Sequence, residues 1–336
     1  MKACVLRSVG NIDYCDVASP KIEDSELIVD IHACGICSSD IPRIFVNGTY
    51  HFPTIPGHEF SGIVSQVRDS SLSSFLNKKV VVFPLIPCNC CEACRQKNYA
   101  LCSNYNYYGS RCDGGFAEQI GVNSWNVKII DQNVDYRIAA LTEPSAVALH
   151  AVRKLKIDTN AKILIIGNGT IGLLVSKWCK TFGFNDITIV SRSDFKNKII
   201  SNLGFKHSDI SELNDSSFDA VFECIGDSVL VNKSFDLLKP LGKLILIGNP
   251  SGDFYSAQKN YWKILRKELY IYGSWNSDYN NSADDWQIVV DNLLADKEFY
   301  SQLITHVFKM KDIKQALDIM KNKTDPFVKI MVEAYE

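Results

Sequence analysis

No stretch of this chain is apolar over the ~20 consecutive residues that a membrane-spanning helix needs. Its first six residues are interrupted too soon to form the apolar part of a secretory signal. The formal net charge is only −2, so no electrostatic argument favours nucleic acid or an anionic membrane as a partner. Internal repeats and low-complexity tracts are also lacking. We therefore expect a cytoplasmic protein with no membrane or nucleic-acid partner.

Two domains are expected from 336 residues, on a prior of ~150 residues per domain. The first part of the chain contains short apolar segments, at 27–31, 62–67 and 79–83, separated by Asn, Gly, Pro and Ser. This pattern predicts a mostly antiparallel β-domain over 1–143.

The pattern changes after Glu143, where a mainly apolar helix is predicted over 145–155. Apolar strands are then predicted to alternate with helical stretches such as 173–182; the strands are at 162–166, 187–190, 220–222 and 244–247. Such alternation indicates an α/β domain with a doubly wound parallel sheet. The pattern becomes mixed again near 273. We predict this second domain over 144–273, with 274–336 returning to the first.

A glycine-rich segment, G-N-G-T-I-G, runs from Gly167 to Gly172 between the first of these strands and the helix after it. The first glycine permits a tight turn, Gly169 lets the backbone approach a pyrophosphate, and the third allows close packing of helix on strand. The helix N-terminus attracts the anion. We expect this turn, with Thr170 and Ile171, to bind a dinucleotide.

The choice of dinucleotide is expected to depend on the end of the second strand. An NAD site usually has an acidic residue there for the ribose 2′-hydroxyl, whereas this chain has Ser191, Arg192 and, nearby, Lys196. A serine and an arginine can hold a 2′-phosphate, which an acid would repel. We predict NADP, with NAD as the alternative; Arg192 could also be only a surface charge.

Cysteines are numerous, and five of the twelve lie between Cys88 and Cys102. The set Cys88, Cys91, Cys94 and Cys102 has the spacing C-x2-C-x2-C-x7-C, and four thiolates can close a tetrahedral shell around a structural Zn²⁺. Iron–sulfur ligation is the alternative, but a ferredoxin run has its fourth Cys after three residues, followed by Pro. We predict zinc, with Cys90 outside the ligand set.

A second possible metal site is looser in sequence and consists of Cys37, His58, Glu59 and Glu143. Thiolate, imidazole and carboxylate all bind zinc, and three protein ligands leave a position for substrate. Taken alone this grouping is weak, because a His after a Pro-Gly turn is more often structural and Glu143 could simply begin a helix.

Together these features resemble the zinc-containing medium-chain alcohol and polyol dehydrogenases. Besides the glycine motif and the cysteines, the resemblance rests on the segments 39–45, 57–62, 109–111, 113–118, 142–144, 263–269 and 273–275. It implies a GroES-like catalytic domain joined to a Rossmann domain, in a homodimer or homotetramer. It also implies two zinc ions per chain and hydride transfer between a polyol or polyol phosphate and the nicotinamide cofactor.

The resemblance further implies a catalytic zinc held by Cys37, His58 and a carboxylate, either Glu59 or Glu143. It gives Asp40 the role of orienting His58. Ser39 would contact the reacting hydroxyl and pass on its proton.

Arg43 is our candidate for binding a substrate phosphate, and Trp275 is a further candidate for substrate contact. The chain departs from the family at Pro42, where many members have a relay histidine, at Arg68, where a small residue is usual, and at Ser191. Two other functions stay open: an NADPH-dependent reductase of another alcohol, aldehyde or ketone, such as a pentulose phosphate, and a non-enzymatic zinc- and nucleotide-binding sensor.

Overall fold

The computed structural model describes residues 1–280 and 284–335. The chain divides into two compact units, Met1–Glu143 with Asp278–Glu336, and Pro144–Ser277. The second unit thus extends slightly beyond the boundary at 273 expected from the sequence.

The secondary structure alternates between strand-rich and helix-rich parts. The strands are β1 Lys2–Ser8, β2 Asn11–Asp16, β3 Leu27–Gly35, β4 Glu59–Val67, β5 Lys79–Val82, β6 Leu85–Ile86, β7 Asn106–Tyr107, β8 Gln119–Val122, β9 Val127–Ile129, β10 Lys162–Ile166, β11 Asp186–Val190, β12 Lys206–Ser208, β13 Phe218–Glu223, β14 Leu238–Leu246, β15 Tyr270–Gly273, β16 Ile304–Lys309 and β17 Lys329–Glu333. The helices are α1 Asp40–Pro42, α2 Glu92–Arg95, α3 Tyr136–Ala140, α4 Thr142–Arg153, α5 Thr170–Thr181, α6 Asp194–Asn202, α7 Ser228–Leu237, α8 Gln258–Arg266, α9 Asp285–Asn292, α10 Lys297–Leu303 and α11 Ile313–Asn322.

The first unit is built on a sheet of order β16-β17-β3-β4-β5-β9, with β8 also pairing with β3. Leu27, Val29 and Ile31 on β3 are buried in its core. Apart from the parallel pair β16–β17, the strands of this unit pair antiparallel. At its carboxyl end β3 has Glu59 of β4 opposite Gly35 on one side and Met331 of β17 on the other. The C-terminal strand is therefore brought beside the start of β4.

The second unit has a parallel sheet of order β12-β11-β10-β13-β14-β15. Residues 163–166 of β10 have no exposed area, as expected for a parallel strand covered on both faces. On α5, Trp178 is fully buried and its Nε1 donates to the carbonyl of Ser145 at 3.1 Å. Because β10 has β11 on one side and β13 on the other, the turn after β10 lies at the switch in strand order, where open α/β sheets bind ligands.

Within the described part of the chain, no helix is both long enough and apolar enough to traverse a bilayer.

Candidate metal and dinucleotide sites

Three side chains of types that can bind zinc meet where β3 ends and β4 begins. Cys37 follows β3, and His58 and Glu59 stand at the start of β4. Their ligand atoms all lie within 4.8 Å of one another. A thiolate, an imidazole and a carboxylate suit Zn²⁺ and leave its fourth position open, so this group fits a catalytic rather than a structural metal.

Asp40 is fully buried behind this group. Its Oδ2 accepts a hydrogen bond from the Cys37 backbone N–H at 3.0 Å, and its Oδ1 lies 3.5 Å from His58 Nδ1. Burial alone would raise the pKa of the Asp40 carboxyl, but His58 and Arg43 outweigh it and hold that pKa below its usual value. The carboxylate therefore stays charged, holds the turn that carries Cys37 and lies beside the ring of His58.

Arg43 and Ser39 both contact this turn. Arg43 Nη1 donates to Asp40 Oδ1 at 2.9 Å, so one donor of this guanidinium is occupied by Asp40 and is not available to a substrate. Ser39 Oγ donates to Cys37 Sγ at 3.2 Å, which places the hydroxyl beside the thiolate.

A buried lysine, which the sequence analysis missed, completes the group. Lys329 on β17 has its Nζ 2.5 Å from Glu59 Oε2 and donates to the Ile36 carbonyl at 3.1 Å. The two charged side chains are 4% and 1% exposed. A signal was present in the sequence, since Lys329 is the one charged residue in the otherwise apolar run 327–332, and a lysine is seldom buried without a partner.

Of the two carboxylates expected from the sequence, Glu59 belongs to the group within ligand distance. Glu143 is buried nearby, and its Oε1 accepts a hydrogen bond from Tyr107 Oη at 3.3 Å. Burial raises the pKa of Glu143 to about 7 in the metal-free chain; the charge of Glu59 adds to this effect, and that of His58 opposes it. Glu143 is thus a second carboxylate at the same centre, and Tyr107 a contact that sequence reasoning did not find.

Two glycines close to these ligands in sequence leave no room for a side chain. A Cβ on Gly35 would lie 2.2 Å from Glu59 Oε2, so a side chain there would displace the carboxylate. Gly57 has φ +94°, which favours glycine, and a Cβ there would lie 2.7 Å from a ring atom of Phe116.

The cysteine-rich loop brings the predicted tetrad together. The sulfur atoms of Cys88, Cys91, Cys94 and Cys102 lie within 4.8 Å of one another. The Cys88–Cys94 and Cys91–Cys102 sulfur pairs are each 3.9 Å apart. A tetrahedral zinc with Zn–S bonds of about 2.3 Å separates its sulfurs by about 3.8 Å. The loop fits one tetrahedral ion; an iron–sulfur cluster would interpose several atoms and hold the thiolates further apart.

The glycine turn has the geometry that dinucleotide binding requires. Gly167 has φ +127°, and a Cβ on Gly172 would lie 1.9 Å from the Gly167 carbonyl oxygen. A Cβ on Gly169, by contrast, would meet no atom within 4 Å. Thr170 and Ile171 form the first turn of α5, directly after Gly169. The backbone at Gly169 is therefore open to a pyrophosphate at a helix N-terminus.

The residues predicted to select the cofactor follow β11. Ser191 is 5% exposed, and its Oγ accepts a hydrogen bond from Asn168 Nδ2 at 2.8 Å. Lys196 Nζ donates to Asn168 Oδ1 at 3.3 Å, while Arg192 is exposed. Asn168, in a variable position of the glycine motif, thus links Ser191 and Lys196. Arg192 also contributes, as a minor cause, to the lowered pKa of Asp209.

Three other positions singled out in the sequence lie apart from these contacts. Trp275 is 57% exposed in the second unit, just after β15. Arg68 is paired with Glu26 at 3.4 Å on the surface of the first unit. Pro42 is the last residue of the short helix α1.

Known proteins show the same organisation. The alcohol dehydrogenase GroES-like domain matches residues 23–131, and the glucose dehydrogenase C-terminus matches residues 137–333. Galactitol 1-phosphate 5-dehydrogenase of Escherichia coli (strain K12) is 32% identical over 337 residues, which cover 96% of this chain and 97% of that enzyme.

Solved structures agree. The crystal structure of galactitol-1-phosphate dehydrogenase from Escherichia coli matches with a TM-score of 0.91 and 31% identity, covering 99% of this chain and 100% of that one. A zinc-binding dehydrogenase from Sinorhizobium meliloti 1021, bound to NADP, matches with a TM-score of 0.88 and 26% identity, covering 99% of both chains. The predicted GroES-like and Rossmann folds are confirmed, and the chain belongs to the zinc-containing medium-chain alcohol and polyol dehydrogenases, a family of oxidoreductases.

Proposed function

We propose that this dehydrogenase transfers a hydride between a polyol phosphate, of the galactitol-1-phosphate kind, or a free polyol, and NADP. The observation that carries the proposal is the group of Cys37, His58 and Glu59, whose ligand atoms fit a zinc with an open position. These residues would hold a zinc that acts as a Lewis acid on the substrate oxygen, and the glycine turn would hold a nicotinamide cofactor that supplies the hydride chemistry. Similarity to galactitol 1-phosphate 5-dehydrogenase supports the polyol-phosphate class.

The chain's own residues orient the substrate and handle its proton. Ser39 Oγ, which lies beside Cys37 Sγ, is the proposed contact of the reacting hydroxyl and its first proton acceptor. Asp40 keeps His58 and the Cys37 turn in place. Because Pro42 replaces the relay histidine of many members, the proton leaves by a route that does not use this position.

Arg43 is the proposed phosphate-binding group, and kinetics with phosphorylated and free polyols test it. Charge-assisted hydrogen bonds contribute roughly 1.5–3 kcal/mol, so Arg43→Ala should lower kcat/KM for the phosphorylated substrate by about one to two decades. The free polyol should lose much less. The surface variant Arg68→Ala is the matched control. Equal losses on both substrates would show that Arg43 acts only through its bond to Asp40.

A preference for NADP over NAD is supported by the charge at the end of β11. Arg192 is exposed, and Lys196 and the Ser191 hydroxyl both contact Asn168 of the glycine motif. The negative charge of Asp209 interacts with Arg192 and offsets part of the attraction between Arg192 and a 2′-phosphate. Since exposed charges are screened by solvent and salt, we expect a preference of about tenfold rather than the roughly two decades of a buried contact.

The double variant Ser191→Asp, Arg192→Ile should reverse this preference, because a carboxylate repels the 2′-phosphate and accepts from the ribose hydroxyls of NAD. The measurement is kcat/KM for both cofactors, with Arg266→Ile as a control at another exposed arginine of the same unit. An unmodified protein that clearly favours NAD would contradict the proposal. The same basic site supports a second candidate function, an NADPH-dependent reductase of another ketone or aldehyde. A panel of substrates assayed in the reductive direction distinguishes it from a polyol dehydrogenase.

Self-association is proposed through β15, an edge strand of the parallel sheet. Edge strands present unpaired backbone groups, and Tyr270 and Ile271 on β15 are 50% and 40% exposed. Two copies related by a two-fold axis could pair through this strand. Ile271→Lys should shift sedimentation toward monomer, while Val229→Lys, at an exposed position of α7, should not. A wild-type chain that sediments as a monomer would contradict the proposal.

A further inference from the structure

The cysteine-rich loop contains a fifth thiol that the tetrad does not need. Cys90 is the exposed member of the twelve cysteines, all of which the structure describes. Its Sγ lies 3.6 Å from Cys88 Sγ. Four thiolates already complete a tetrahedral zinc shell, so Cys90 is a solvent-facing thiol in contact with a ligand of that shell.

The backbone keeps these two sulfurs together. Asn89, between them, has φ +58°, a left-handed turn that Asn tolerates better than most residues. Arg95 Nη1 donates to the Cys90 carbonyl at 2.6 Å and anchors the far side of the turn. A disulfide has an S–S distance of about 2.05 Å. Rotation of the two side chains therefore has to shorten the distance between the Cys88 and Cys90 sulfurs only slightly.

We propose that Cys90 is an oxidation site at which a hydroperoxide joins Cys88 to Cys90 and opens the structural metal shell. In the first step the Cys90 thiol takes one oxygen from the hydroperoxide, giving a sulfenic acid and an alcohol, or water from hydrogen peroxide. In the second step the Cys88 thiolate attacks the Cys90 sulfur, the S–S bond forms, and hydroxide leaves. Two thiol sulfurs are oxidised and one peroxide O–O bond is reduced.

Because Cys90 is the exposed thiol of the loop, the hydroperoxide should react there first. A hydroperoxide must reach the sulfur that it oxidises; Cys94 and Cys102 are buried, and Cys88 and Cys91 are partly covered. Once Cys88 is consumed, three thiolates remain for the metal. Because a structural zinc stabilises the fold through its complete shell, the oxidised loop should release zinc and become less stable, and a dithiol should reverse the change.

The experiment treats the zinc-loaded full-length protein with hydrogen peroxide and follows zinc with a chromogenic chelator. The unmodified protein should release zinc as its mass falls by two hydrogen atoms, and the tryptic peptide 80–95 should contain a disulfide between Cys88 and Cys90. Cys90→Ser should slow zinc release several-fold, while Cys15→Ser, which removes a partly covered thiol outside the loop, should behave like the unmodified protein.

The proposed oxidation of Cys90 rests on the proposed structural zinc, but the two hypotheses are tested by different measurements. Metal content before oxidation tests the zinc, and peptide mapping of the unmodified protein tests Cys90 even if Cys90→Ser does not fold. The same release rate in Cys90→Ser, a disulfide among Cys91, Cys94 and Cys102 with Cys90 free, or oxidation of Cys90 without zinc release would each overturn it.

Discussion

Cys37→Ser is expected to abolish turnover while the chain stays folded. A zinc held by Cys37, His58 and Glu59 would stabilise the transition state by several kcal/mol, and a loss of about 4 kcal/mol corresponds to about three decades in kcat at ~1.4 kcal/mol per decade. The fold should survive because the turn is held by backbone bonds that serine keeps: the Cys37 N–H donates to Asp40 Oδ2, and the Cys37 carbonyl accepts from the Asp40 N–H.

Metal analysis separates this site from the structural one. The unmodified protein should contain two zinc ions per chain and Cys37→Ser one, with a circular dichroism spectrum like that of the parent. Cys94→Ser should instead lower the unfolding temperature, because it opens a closed shell in which Cys94 is 6% exposed. Cys15→Ser is the control for both. Near-normal activity in Cys37→Ser, or one zinc or stoichiometric iron in the unmodified protein, would contradict the assignment.

Regular elements of the second unit were predictable from local pattern. The strand expected at 162–166 is β10, and the helix expected at 173–182 is α5, which begins earlier, at Thr170, and ends at Thr181. A continuous apolar strand followed by G-x-G-x-x-G leaves few alternatives for the backbone. The helix expected at 145–155 begins earlier, at Thr142, and ends at Arg153. Pro144 tolerates this shift, because its missing N–H still lies in the first turn.

Pairing between strands that lie far apart in the sequence could not be predicted in the same way. The sequence beyond 273 appeared mixed because α9 and α10 separate β15 from β16, and α11 separates β16 from β17. No local pattern states that β17 pairs with β3, which lies at the other end of the chain. The same gap explains the missed Lys329: the partner of Glu59 is 270 residues away in sequence. The cysteine tetrad, by contrast, was predictable because all its ligands lie in one loop.

Lys329→Met should be the most destabilising single change at the proposed catalytic centre. Breaking a buried ion pair leaves its partner's charge uncompensated and costs about 3–5 kcal/mol. Glu59, at 1% side-chain exposure, would be left in that state. An exposed pair is the matched control: Lys2 and Asp16 are 41% and 78% exposed, so Lys2→Met should change the unfolding temperature little.

The effect of added zinc on the unfolding temperature of Lys329→Met distinguishes a role of Lys329 at the proposed metal site from a merely structural role. Added zinc supplies a positive charge to the Glu59 carboxylate, so it should raise the unfolding temperature of Lys329→Met more than that of the unmodified protein. Glu59→Gln combined with Lys329→Met removes both charges. Because neither charge is then left unpaired, the double variant should be more stable than Lys329→Met alone, a coupling that a double-variant cycle measures. If Lys329→Met is no less stable than Lys2→Met, or if the double variant loses the sum of the two single losses, Lys329 does not balance the charge of Glu59.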